Sequence, residues 1–178
     1  MKNKKEYYKL AESILNNEQF ITLKNDIHHG TNKYDHCNRV AYVSYRLAKI
    51  FKANQADVVT AGLLHDFFFG ERTHKVENSY LNHPKTSSAN AKNYFNISDK
   101  VAKDIETHMF HHVLIKKILP FINYKEKATI KDNKPNSKEG AIICFSDFLV
   151  SIYEFERFKL SYSASIIGIF IINLLTIR

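Results

Sequence analysis

The chain has 178 residues, enough for one domain with a sizeable core. Hydrophobic residues make up 44% of it and charged residues 25%, which is typical of a soluble globular protein. The formal net charge of +8 favours anionic partners such as nucleotides, nucleic acids or acidic lipids. The lysines are scattered without a dense basic block, so we do not expect a dedicated nucleic-acid-binding module.

The N-terminus and the cysteines indicate a compartment. The opening MKNKKEYYKL is basic but has no apolar stretch behind it, which does not resemble a signal peptide. The two cysteines, Cys37 and Cys144, give little support for a disulfide. We therefore expect a reduced, cytoplasmic protein.

Helical periodicity recurs along the chain, whereas strand-like alternation is scarce. Five glycines and three prolines are few for this length. The sequence therefore predicts an all-α, single-domain fold over residues 1–178. Three residues mark helix starts: Asn54 and Ser98 as N-caps, and Pro84 at the first position of its helix. The predicted helices cover residues 6–20, 34–52, 55–69, 83–95, 99–112 and 141–158.

The remaining stretches have distinct compositions. Residues 27–35 form a polar connection and residues 70–82 a loop. The charged stretch 125–139 is an exposed insertion, either a lid or a tolerated loop. The C-terminal SASIIGIFIINLLTI has an apolar run of about 14 residues interrupted by Asn173, whereas crossing a membrane takes roughly 20. We expect a core or dimer-interface helix there, with a membrane anchor as the less favoured alternative.

Polar residues interrupt three of the apolar helices. AGLLHDFFFG places His65 and Asp66 inside an apolar run, His36 heads an apolar stripe, and Asp147 interrupts AIICFSDFLVSIY. A buried aspartate must be paired or bound to a metal. Two imidazoles and two carboxylates suit one or two divalent ions, such as Fe, Mn, Ni, Co or Zn, and Mg²⁺ also accepts carboxylates.

The positions within the helices refine this hypothesis. Neighbouring residues on a helix diverge by about 100°, so His65 and Asp66 converge on one ion only near a helix end. Alternatively, Asp66 bridges two neighbouring ions. Cys144 lies one turn before Asp147, where a small buried packing residue is favoured over a zinc thiolate.

These motifs resemble a known family. YDHCNRVAYVSYRLAKIF, AGLLHDFFFG and SDFLVSIYEF resemble the HD-domain metal-dependent phosphohydrolase superfamily, whose signature is a His, a His-Asp pair and a distant Asp on helices. HHG, HPKTSSANAKNYF and THMFHH are similar to a group of small bacterial HD proteins. The resemblance covers about residues 26–158 and implies an HD-type helical bundle. The matching positions are His36, His65, Asp66 and Asp147.

The resemblance also implies a second metal and a reaction. His83 and His108 would hold a second ion, and Asp66 would serve both ions and orient the attacking water. The expected activity is hydrolysis of a small phosphorylated substrate, with nucleotides among the candidates. A non-catalytic metal- or nucleotide-binding signalling module is an alternative, and a di-iron oxygenase is a weaker one.

Several further residues have open roles. Arg39 either reaches the substrate phosphate or forms a salt bridge to a neighbouring helix, and Lys85 and Lys116 are weaker phosphate candidates. Relatives usually have a proline after HMF, where this chain has His111 and His112. His112 follows His108 by four residues and could share its ion. The resemblance implies a place at the pocket rim for His28 and His29. We expect His74 on the surface, and a homodimer stays open.

Overall fold

The computed structural model describes residues 2–28, 31–69, 82–118 and 130–155. These residues form an all-α fold, in which a single pair of two-residue strands is the only sheet of the described part. This confirms the predicted fold class. The elements are α1 (Lys2–Leu15), α2 (Glu18–Ile21), a 3-10 helix (Thr22–Asn25), β1 (Ile27–His28), β2 (Thr31–Asn32), α3 (Lys33–Phe51), α4 (Gln55–Leu64), α5 (His83–Phe95), α6 (Asp99–Glu106), α7 (Phe110–Ile118), α8 (Ile130–Asn133) and α9 (138–155).

The predicted helix starts are confirmed. The backbone amide of Asp57 donates a hydrogen bond to Asn54 Oδ1 at 3.2 Å, and the amide of Val101 donates to Ser98 Oγ at 3.3 Å. Pro84 lies in the first turn of α5, where its missing N–H leaves no intrahelical bond unmade. These caps satisfy backbone amides that have no partner inside the helix.

Two predicted helices are broken by local side-chain bonds. The helix predicted over residues 6–20 divides at Asn17, whose side chain accepts from the amides of α2 and so starts a new helix. The helix predicted over 99–112 is interrupted by a turn over 107–109. There the Thr107 hydroxyl donates to the backbone carbonyl of Lys103 at 3.1 Å.

Helices α3 and α4 pack closely at the centre of the fold. A Cβ atom added to Gly62 would lie 2.7 Å from the Cα of Ala41, so only glycine permits this approach. Several of the α3 side chains that face inward are small, including Ala41, Ser44 and Ala48, all fully buried. The close packing brings the start of α3 beside the end of α4, and these two ends carry His36 and His65.

The predicted insertion is partly described. It contains the four-residue helix α8, and α9 begins at residue 138, three residues before the predicted start. No helix in the described ranges is both long and apolar enough to cross a membrane. Some predictions lie outside the described residues or concern side chains that are not described: the loop over 70–81, the tail over 163–177, His28, His29, His74 and Lys116.

Candidate metal centre

Three helices bring a first group of ligand atoms together. His36 lies near the start of α3, His65 directly after α4, and Asp147 in the middle of α9. The Nε2 atoms of His36 and His65 are 3.3 Å apart. Asp147 Oδ1 lies 3.2 Å from His36 Nε2 and 3.6 Å from His65 Nε2. Three atoms that commonly bind metals therefore face one point.

Asp66 connects this group to a second one. Its Oδ2 atom lies 4.0 Å from His36 Nε2 and 3.9 Å from His65 Nε2. Its Oδ1 atom lies 3.1 Å from His83 Nε2 and 3.7 Å from His108 Nε2. The Nε2 atoms of His83 and His108 are 3.1 Å apart. One carboxylate thus directs an oxygen at each of two histidine pairs.

The end of α4 explains how neighbouring residues reach both groups. The predicted helix over 55–69 is too long, because α4 ends at Leu64 and a turn follows at His65 and Asp66. The Phe67 amide donates to the carbonyl of Leu64 at 3.1 Å, and the Phe68 amide donates to the carbonyl of Asp66 at 2.8 Å. Because of this turn, the side chains of His65 and Asp66 are not held to the divergence of about 100° that a continuous helix imposes on neighbouring residues.

Backbone carbonyls orient two of the imidazoles. His65 Nδ1 lies 2.8 Å from the carbonyl oxygen of Gly62, and His108 Nδ1 lies 2.8 Å from that of Ile105. A carbonyl only accepts hydrogen bonds, so each Nδ1 carries the hydrogen and donates it. In the neutral rings the lone pair is then on Nε2, the atom directed at the centre.

Glu154 orients the third imidazole and was missed in the sequence. Its Oε2 accepts from His36 Nδ1 at 2.8 Å, and its Oε1 accepts from Arg39. Glu154 is 4% exposed and comes two helical turns after Asp147 on α9, which places both on one face. Ser151 lies four residues after Asp147 and Glu154 three residues after Ser151, so helical spacing alone places Glu154 on the face of Asp147.

Buried Lys33 supports the turn that carries Asp66. Its ammonium group is fully buried, donates to the Phe68 carbonyl at 2.9 Å and to Asp26 at 3.1 Å, and lies 3.5 Å from the centre of the Phe68 ring. Burial lowers the pKa of Lys33, although Asp26 opposes this shift. No sequence signal distinguished Lys33 from the many surface lysines.

Burial and neighbouring charges shift the pKa values of three residues in this centre. Burial disfavours a charged His36, but Asp147 and Glu154 outweigh it and raise the pKa of His36 to about 9. Burial likewise opposes charge on Asp147, whose pKa His36 and His65 hold well below its usual range. Burial and the neighbouring His65 and His83 lower the pKa of His108.

The donor set fits divalent ions. His36 Nε2, His65 Nε2 and Asp147 Oδ1 are all acceptors when the rings are neutral, so they repel one another unless a cation or protons lie between them. Five of the six predicted ligands are fully buried and Asp147 is 4% exposed. Imidazole with carboxylate suits Fe, Mn, Ni, Co or Zn. These buried groups can therefore hold a divalent metal.

Phe68 closes one side of this centre. It is fully buried, and its ring centre lies 5.2 Å from that of His83. Phe67 is also fully buried, whereas Phe69 is 42% exposed. Two of the three phenylalanines therefore pack around the turn, and the third is partly exposed to solvent.

Other predicted residues lie outside the two ligand groups. Arg39 forms the salt bridge to a neighbouring helix, through Glu154, and its phosphate role stays a prediction. Lys85 is exposed on α5. His111 and His112 belong to neither ligand group of the described part, and Cys144 contacts His111 at 3.7 Å instead of a ligand.

Comparison with known proteins identifies the family. Neither the curated proteins nor the solved structures contain a match. The sequence model described as HD domain matches residues 34–150, a range that includes all six predicted ligands. Since the match spans well over half of the chain and the described fold is all-α, the chain belongs to the HD-domain family.

Proposed function

We propose that this protein is a metal-dependent phosphohydrolase with two divalent ions. The observation that carries the proposal is the position of Asp66, whose two oxygens face separate histidine pairs. Membership of the HD-domain family supports it, because HD domains are generally metal-dependent hydrolases. The substrate would be a small phosphorylated molecule, with nucleotides among the candidates, which the net charge of +8 would attract.

The side chains divide into two ligand sets. The first ion would be held by His36 Nε2, His65 Nε2, Asp66 Oδ2 and Asp147 Oδ1, and the second by Asp66 Oδ1, His83 Nε2 and His108 Nε2. Bound divalent ions would supply Lewis acidity, which makes hydroxide available near neutral pH and offsets charge on phosphoryl oxygens.

Side chains of the protein would perform the other roles in the reaction. Asp66 would fix the spacing of the two ligand sets and orient the attacking water. Glu154 keeps the His36 hydrogen on Nδ1, which leaves Nε2 free to bind. Phe68 and the packed helices exclude bulk water, and this strengthens the electrostatic interactions inside the site. Arg39 and Lys85 stay candidates for contacts with the substrate phosphate.

Metal analysis of single variants tests the proposal. We expect two ions per chain in protein purified without chelator, about one in His83→Ala or His108→Ala, and fewer than one in Asp66→Ala. His112→Ala is the matched control and should keep both ions. Asp66→Ala should also lower kcat on a panel of nucleotides and simple phosphate esters by at least about 100-fold.

Three results would contradict the proposal. Full metal content without turnover on any phosphate ester would support the non-catalytic binding module, and substrate-dependent oxygen uptake would support the di-iron oxygenase. Metal content unchanged in Asp66→Ala would refute the assignment of the ligands themselves.

A further inference from the structure

A cavity lies between α1 and α3. It has a volume of about 240 Å³, and none of the six candidate metal ligands lines it. No aspartate or glutamate lines this cavity, and two of its lining side chains, Lys4 and Arg39, are cationic. The lining residues are Lys4, Tyr7, Tyr8, Asn38, Arg39 and Tyr42.

Hydrogen-bond donors are concentrated in this cavity. Arg39 uses only Nη1 in its bonds to Glu154 and Thr31, so its Nη2 and Nε hydrogens have no acceptor among the described residues. Within the same described ranges, the Lys4 ammonium and the Tyr8 hydroxyl also have no hydrogen-bond partner. These donors are accessible from solvent, so they are available to a ligand that supplies several acceptor oxygens.

The tyrosines make the cavity rigid. Tyr7 is 2% exposed, and its hydroxyl donates to Asn38 Oδ1 at 2.6 Å. This bond takes the amide oxygen and leaves Asn38 Nδ2 as the group available to a ligand. The Tyr7 ring packs edge-on against Tyr8 at 5.4 Å and against Tyr42 at 5.2 Å between ring centres.

We propose that this cavity is an anion site, separate from the metal centre, that binds the phosphate group of a small aromatic phosphate ester. Lys4 and Arg39 would bind the phosphate oxygens by charge-assisted hydrogen bonds, which are about twice as strong as neutral ones. Tyr8 and Tyr42 would contact the ring of the ligand. The volume suits a phosphate with one ring and is too small for a large ligand.

Arg39 connects the proposed anion site to the proposed metal centre, although none of the six candidate metal ligands lines the cavity. Arg39 contacts Glu154 through Nη1, and Glu154 contacts His36. Arg39 also lines the cavity, and its Nη2 and Nε donors are not used in the bonds to Glu154 and Thr31. The proposal does not depend on hydrolysis, since the site would bind its ligand in protein without metal.

Titration of the chelator-treated full-length chain with phenyl phosphate tests this site. The chain has no tryptophan, so its fluorescence comes from its ten tyrosines, and a ligand at Tyr8 and Tyr42 should change part of that signal. Calorimetry provides an independent affinity. We expect Lys4→Ala and Tyr8→Ala each to raise the Kd by about fivefold or more. Both residues are exposed, so the variants should fold, which circular dichroism would verify.

Two controls test whether binding is specific to this cavity and to the anion. Lys9→Ala removes a similar exposed lysine from the same helix and should leave the Kd unchanged. Benzyl alcohol, which has the ring without the anion, should bind far more weakly. A Kd unchanged in both Lys4→Ala and Tyr8→Ala, equal binding of benzyl alcohol, or no binding of phenyl phosphate at all would each overturn the proposal.

Discussion

Replacing Glu154 by glutamine tests whether this buried carboxylate positions His36. The carboxylate accepts from His36 Nδ1 at 2.8 Å through one oxygen and from Arg39 through the other. A glutamine has one acceptor oxygen and one NH₂ group. Because His36 Nδ1 and Arg39 both donate, the NH₂ group must face one of these two donors. Leaving a buried donor without an acceptor should lower the free energy of unfolding by about 1–3 kcal/mol.

The larger effect should be on metal binding. Loss of a partner that orients a metal-binding histidine typically lowers metal affinity about 10- to 100-fold. Glu154 also raises the pKa of His36, so near pH 7 the variant gains from weaker competition by protons. The affinity loss should therefore be larger at about pH 9.5 than near pH 7 when measured against a competing chelator. Glu12→Gln, an exposed α1 substitution, is the control.

A Glu154→Gln protein that binds metal as tightly as the wild type at both pH values would refute this positioning role. An equal loss at the two pH values would refute the proton-competition part of the argument. Unfolding by urea, followed by circular dichroism, checks the stability component separately.

Three further predictions concern the surroundings of the site. Gly62→Ala should lower stability in urea by about 1–3 kcal/mol, because its Cβ would lie 2.7 Å from Ala41 Cα, and an unchanged midpoint would contradict the close packing. Burial raises the pKa of Cys144 to about 11, so a thiol reagent at pH 8 should label it only after denaturation. Lys33→Met should cost about 1–3 kcal/mol in the same urea assay, since the Phe68 carbonyl loses its buried donor.

Sequence reasoning located the residues that interrupt apolar helices. His36, His65, Asp66 and Asp147 are polar at positions where periodicity predicts burial, and the structure brings all four together. The need of a buried carboxylate for a cation led to this expectation. The second histidine pair, His83 and His108, came only from the family resemblance. A histidine at a helix start or in a turn has no distinctive periodicity.

The features that were missed depend on tertiary contacts. The predicted helix through Phe69 followed apolar composition, whereas the turn after Leu64 is stabilised by Lys33 from the start of α3. Glu154 on α9 lies near the C-terminal end of the described residues, 118 residues after His36, and its role appears only once α3 and α9 pack together. Local patterns predict which face of a helix is buried, but not the neighbours that the face meets.

The pH dependence of stability tests the charge balance around His36 in the chelator-treated protein. The groups that face His36 are Asp147, Glu154, His65 and Asp66. The folded pKa of about 9 is above the ordinary value of 6.5, so the native state binds an additional proton between these values. The stabilisation of the folded state by this proton is complete below about pH 6.5 and is lost as the pH rises through 9.

We therefore expect the free energy of unfolding without metal to fall by up to about 3 kcal/mol between pH 6.5 and 9. The pKa of His65 is raised too, which acts in the same direction. A bound ion must displace the His36 proton, and the His65 proton where that ring is charged, so metal affinity should rise by at least about tenfold per pH unit over this range. Urea unfolding and chelator competition measure the two trends. Stability that stays constant or rises from pH 6.5 to 9 without metal would show that the carboxylates do not hold a proton on His36.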